Sequence, residues 1–167
     1  MSMVLYLRRA TSEDVARLEE DPEELVPFVF EEEEESEAVV DFDQAWHALH
    51  FMLCGDMGRT SHPLSVMLGN DEGLKGTEAH FYGYWVITPD EVRAFDSALS
   101  ALSDQDIAAR YDPDAFAEHH LFGAGIFLEE GEESGETLSY IMQGVPALRR
   151  MTRAAAAAND YIISTIG

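Results

Sequence analysis

Apolar residues along this chain alternate between runs of strand length and stripes at the helical period. Met3-Val-Leu-Tyr-Leu opens with a short β-prone run. Phe81-Tyr-Gly-Tyr-Trp-Val-Ile is aromatic and β-branched, and Tyr161-Ile-Ile-Ser-Thr-Ile closes the chain in the same manner. These runs predict strands over 3–8, 82–88 and 160–166, sharing one sheet. Between them the pattern is helical. Thr11-Ser-Glu-Asp reads as a cap with acids in the first turn, leading a helix through Val15 and Leu18. Asp21-Pro22 restarts a short helix. Thr88-Pro89-Asp-Glu caps a helix through Val92, Phe95, Leu99 and Leu102, and Ser103 and Asp112-Pro113 start two more. Residues 137–143 and 146–158 read as helix broken near Gly144, with Asn159 as a left-handed cap.

The strongest helical signal covers Asp41 to Cys54. Phe42, Trp46, Leu49 and Leu53 fall at i, i+4, i+7 and i+11, one narrow stripe, and Gly55 follows as a C-terminal glycine. Gly55 to Ser61 is then a loop, and Pro63 opens a short helix over 64–68, stopped by Gly69-Asn70. Phe122-Gly-Ala-Gly-Ile-Phe-Leu is a glycine-broken loop or edge strand. The expected fold is α+β: one domain over 1–167, with a small mixed sheet of N-terminal, central and C-terminal strands covered by several helices.

Composition changes this picture in two ways. The 167 residues carry 33 acids against ten basic residues, a formal charge of −23. Nucleic acid and anionic membrane would be repelled, so neither is an expected partner; a basic protein or a small ligand is. The acids are expected to be dispersed over the surface, with the clusters at 31–37 and 129–136 on loops. Second, Cys54 is the single cysteine, so no disulfide can form within the chain. With no signal-like N-terminus and no apolar run of ~20 residues, the sequence reads as cytoplasmic.

Candidate chemistry concentrates beside the apolar stripe of the 41–54 helix. Asp43, His47, His50 and Cys54 are spaced i+4, i+3 and i+4, which places them on one face of a continuous helix. An acid, two imidazoles and a thiol could hold a metal, with His62 as a further ligand, or form a Cys–His pair. Against the metal, the zinc-binding helix spaces its histidines at i and i+4 with a glutamate between them. Against the nucleophile, Cys54 lies at a helix C-terminus, where the dipole disfavours a thiolate. Histidines hydrogen-bonded to neighbouring loops are the expected arrangement, with no metal and no cofactor. His119-His120 diverge on a helix, Gly69-Asn-Asp-Glu-Gly73 lacks the lysine of a phosphate loop, and 122–126 lacks a dinucleotide fingerprint.

Several segments together resemble a known family. Asp41-Phe-Asp-Gln-Ala-Trp-His-Ala-Leu-His-Phe-Met-Leu-Cys-Gly resembles the acid, Trp, Leu-His and Leu-small-Gly pattern of the YfbM-like family, the bacterial domain of unknown function 1877. Pro63-Leu-Ser with Leu68-Gly69, the Thr88-Pro-Asp-Glu-Val segment, the Leu148-Arg-Arg-Met helix and the closing strand occur in similar order. The resemblance spans nearly the whole chain. It implies a single-domain α+β fold with no assigned activity, and carries over Trp46, His50 and Gly55; Cys54 and His47 depart from its pattern. The expected function is a binding or interaction module without catalytic activity, with Asp43, Trp46, His47, His50 and Gly55 as candidate binding residues. The alternative is a small hydrolase or transferase with its site around His50 and the loops at 55–62 and 69–80.

Overall fold

The computed structural model describes residues 3–31, 37–77, 83–125 and 135–167. In chain order they form β1 (Leu5–Ala10), α1 (Ser12–Glu20), α2 (Leu25–Phe30), β2 (Val39–Asp41), α3 (Trp46–Cys54), β3 (Trp85–Ile87), α4 (Pro89–Ser100), α5 (Asp104–Ala108), α6 (Pro113–Glu118), α7 (Glu136–Met142), α8 (Val145–Ala158) and β4 (Tyr161–Ile166). No described helix is long and apolar enough to cross a membrane.

The three expected strands do lie in one sheet, ordered β2-β1-β4-β3. Every pairing among the described strands is antiparallel, so the sheet is not the mixed one anticipated. The two ends of the chain make its centre: β1 and β4 pair from Leu5↔Ile166 to Ala10↔Tyr161. Val4 and Gly167 extend that ladder with two backbone hydrogen bonds of 2.9 Å. Helices cover both faces. Leu5, Leu7 and Ile162 point into the larger core with residues of α3, α4 and α8, while Ala10, Tyr84 and Ile163 pack with Val15, Leu18, Leu25 and Phe28. Alternate side chains of β1 and β4 therefore enter different cores, which is why Ile162 to Thr165 of the closing strand are buried on both faces.

Side-chain caps set four of the eight described α-helix starts. Thr11, Thr88 and Ser103 each close a capping box, and the Asp112 carboxylate accepts the Ala115 N–H. Two elements are shorter than their patterns: Pro63–Ser65 is a single 3₁₀ turn, and β3 covers only Trp85–Ile87. Residues 122–123 are a turn leading into helix at 124–125. The acidic clusters fall mostly on 32–36 and 129–134, outside the described residues, as do 78–80 of the 69–80 loop, 81–82 of the central β-prone run and 126–128 of the glycine-broken segment.

The edge strand β3 is fixed through Trp85, whose indole N–H donates to the Asn70 carbonyl at 3.0 Å. The ring lies so close over Gly69 that a Cβ there would stand 1.9 Å from Trp85 Cδ1. Gly69→Ala must therefore push the indole off its seat. A loss of ~1–3 kcal/mol in denaturant melts is expected, with a shift in tryptophan emission. An unchanged melt would show that the contact is not confining.

Candidate functional site

The helix carrying the candidate residues begins later than its apolar stripe suggests. Asp41 belongs to β2, and its carboxylate accepts the Asp43 N–H at 3.1 Å. Asp43 takes a left-handed φ of 49° and begins a 3₁₀ turn to Ala45, and α3 starts at Trp46. A side-chain turn of this kind competes with helix continuation, and aspartate tolerates the left-handed conformation. Asp43 is therefore not on the histidine face. Its carboxylate instead hydrogen-bonds the Tyr140 hydroxyl, which also accepts the Gln44 N–H at 3.1 Å. Burial, with the Asp41 and Asp43 charges, holds the Tyr140 phenol above its ordinary range.

The apolar stripe is core. Phe42, Trp46, Leu49 and Leu53 are all buried, and Trp46 stacks between His47 and Phe122 with its indole N–H on the Met3 carbonyl at 2.9 Å. Gly55 closes α3 at φ 76°, its N–H reaching the Phe51 carbonyl at 2.7 Å. Trp46 and Gly55 thus stand in the site's framework.

His47 and His50 face the loop that follows. His47 Nδ1 accepts the Phe122 N–H at 2.9 Å, so its proton sits on Nε2, which donates to the Met57 carbonyl at 2.8 Å. Both ring nitrogens are thereby committed. His50 Nε2 lies 2.9 Å from the Gly58 carbonyl, which can only accept, so this nitrogen carries the proton. Its Nδ1 is buried without a hydrogen-bond partner, and the whole residue is 0% exposed. Burial lowers the His47 pKa and pushes that of His50 down to about 4; the bonds to Met57 and Gly58 oppose this but do not win.

Cys54 Sγ lies 3.4 Å from His50 Nε2 and 3.6 Å from the Asp56 carbonyl. Burial raises the thiol pKa, chiefly by desolvation. Thiol and imidazole are thus both driven neutral, the opposite of the thiolate–imidazolium polarity that activates a nucleophilic cysteine. What the pair does visibly is hold the Asp56 and Gly58 carbonyls of the 55–62 loop against α3, on either side of the Met57 carbonyl held by His47.

Other ties on that loop come from residues that sequence pattern alone did not single out. Arg110 Nη1 donates to the Met52 and Leu53 carbonyls, each at 3.1 Å, closing the open end of α3. Arg59 forms an ion pair with Glu91, the capping-box acid of α4. The Ser65 hydroxyl donates to the His62 carbonyl at 2.7 Å and accepts the Thr60 N–H at 3.0 Å. His62 does not join the α3 histidines as a ligand, since its Nδ1 accepts the Leu64 N–H at 3.0 Å and caps the 63–65 turn. Exposed His119 is also elsewhere, against Phe51 at 5.0 Å between ring centres. Among the described residues no cluster of three His, Cys, Asp or Glu side chains could hold a metal ion.

The family model described as "Domain of unknown function (DUF1877)" matches residues 1–165. This chain belongs to the DUF1877 family. Among solved structures, the crystal structure of YfbM from Escherichia coli, a protein of unknown function, is similar to it at a TM-score of 0.68. The two share 17% identity over 98% of this chain and 99% of that one, a likeness that concerns the fold. No curated protein matches the chain. The DUF1877 assignment identifies the fold and leaves chemistry to be argued from the residues.

Proposed function

We propose that this DUF1877 chain is a binding or interaction module without catalytic activity, whose partner is a basic protein or a small ligand. The observation that carries this reading is the commitment of the α3 histidines. A general base needs an imidazole that reaches substrate and has a pKa near the working pH. His50 is 0% exposed, its pKa is pushed down to about 4, and its protonated nitrogen is turned onto a backbone carbonyl. His47 has no free lone pair, and Cys54 is held as a thiol. The charge of −23 supports a cationic partner, attracted at long range at low salt.

The competing hydrolase or transferase reading requires an imidazole that solvent and substrate can reach. Histidine carbethoxylation at neutral pH, read by peptide mass spectrometry, separates the two. Exposed His119 and His120 should react readily while His50 is protected in the native protein and reacts after unfolding. Native modification of His50 at the rate of His119 would sink the binding-module reading. For the partner, a low-salt pull-down should capture one basic protein that modest salt releases, a failure of which would leave only the small-ligand branch.

A further inference from the structure

The charge distribution contains one abrupt exception. Acids make up 33 of 167 residues, about one in five, yet residues 137–159 hold neither Asp nor Glu. The same stretch holds Arg149, Arg150 and Arg153, three of the ten basic residues. All three lie on α8 and line a groove of about 140 Å³ against α4, with Asp96, Leu99 and Ser100 on the other wall.

The three arginines are held differently. Arg149 forms one end of the groove: Nη1 donates to the Leu99 carbonyl at 2.9 Å, Nη2 to the Leu102 carbonyl at 2.7 Å, and Nε to Asp104 at 3.1 Å. These bonds close the C-terminal carbonyls of α4 and fix a cation in place. Arg153 reaches only the Ser100 hydroxyl, at 3.4 Å. Arg150 is exposed and has no hydrogen-bond or ion-pair partner among the described residues. Asp96 makes no ion pair with them. Guanidinium groups three and four positions apart on a helix repel, and one acid a turn away would relieve that cost. Residues 146, 154 and 157, one turn from Arg150 or Arg153, are Pro, Ala and Ala. Asp104 pairs only with Arg149, and in so acidic a chain leaving Arg150 and Arg153 without an ion-pair partner among the described residues points to a compensating charge from outside.

We propose that the α4–α8 groove is an anion site for a small ligand bearing a phosphate or carboxylate group. Arg150 and Arg153 offer free N–H forks suited to bidentate oxyanion binding, the Ser100 hydroxyl is a further donor, and Arg149 contributes a fixed charge. The volume suits one oxyanionic head group with a small substituent. Nucleic acid does not suit it, because the rest of the surface repels a polyanion. This site stands apart from α3 and does not depend on how the α3 histidines are read.

The test compares millimolar inorganic phosphate, citrate and chloride at matched ionic strength, on wild type and on an Arg150→Ala/Arg153→Ala variant. Both residues are exposed on α8, and Arg149, which holds α4, is kept. A ligand at tenfold its Kd should raise Tm by about 3–6 °C over chloride in the wild type and not in the variant. The Arg150 and Arg153 side-chain N–H resonances should shift in step. A shift with phosphate alone assigns a phosphate ester, with citrate alone a carboxylate, and with both an oxyanion site of either kind. No shift over chloride, or an equal shift in the variant, overturns the proposal. The second result would reduce the effect to the preferential exclusion of phosphate that stabilises folded proteins in general.

Discussion

Trp46→Ala should cost ~3–5 kcal/mol of stability, lowering Tm by roughly 6–20 °C for a chain of this size. The indole is 5% exposed, and it fills the angle between α3, the 121–124 turn and the start of β1. Its loss removes stacking on His47 at 4.8 Å and Phe122 at 5.5 Å, along with the hydrogen bond to the Met3 carbonyl. A full cavity is expected, because the lining comes from three separate segments that cannot all close inward together. Trp46→Phe keeps a six-membered ring in the site and loses the pyrrole part with its N–H donor, so a smaller drop of ~1–3 kcal/mol is expected. Chemical denaturation at neutral pH measures both. A loss below ~1 kcal/mol for the alanine variant would mean that Trp46 is a surface contact and would return the α3 face to consideration as a ligand pocket.

That Trp46 is core could be read from the sequence because helical periodicity is a local property. The same holds for the caps at Thr11, Thr88, Ser103 and Asp112, where a side chain and the backbone two or three residues on decide the outcome. β2 was not legible. Val39-Val-Asp41 is three residues long, and β1 makes it a strand by pairing Leu7↔Val40 from more than thirty positions away. Including Asp41 in the helix placed Asp43 on the histidine face, whereas pairing to β1 and the turn at φ 49° send it to Tyr140. Within the site, the spacing of His47 and His50 set both toward one side of α3, and hydrogen bonds to neighbouring loops were the expected arrangement. Which carbonyls they meet depends on the path of the 55–62 loop, and that path is fixed by the ion pair of Arg59 with Glu91 of α4 and by Ser65. Arg110, fifty-eight positions from the Met52 carbonyl it caps, carries no local mark at all. The arginine groove left a trace in the sequence, the acid-free stretch 137–159, but only α4 packing beside α8 turns that trace into a site.

The pH dependence of stability should show His50 as a buried neutral group. Unfolded, its imidazole takes a proton near pH 6.5; folded, it resists until about 4. Above pH 6.5 neither state is charged there and the shift has no effect. As pH falls from 6.5 toward 4, the unfolded chain gains a proton that the folded chain refuses, and stability drains away by ~3 kcal/mol in all. His47 shifts in the same direction, so the wild-type curve alone cannot isolate His50. The informative quantity is the difference from His50→Phe, which keeps a ring in the buried space, removes the titration and leaves the Gly58 carbonyl without its donor. At pH 8 the variant should be the less stable by ~1 kcal/mol, the value of that hydrogen bond. Each unit of acidification below 6.5 then costs the wild type ~1.4 kcal/mol that the variant is spared, so the two curves should cross near pH 6, with the variant the more stable at pH 5. Denaturant midpoints at half-unit intervals from pH 8 to 5 would trace the crossing. Parallel curves would mean that His50 titrates alike in both states, and the buried clamp on Gly58 would have to be abandoned.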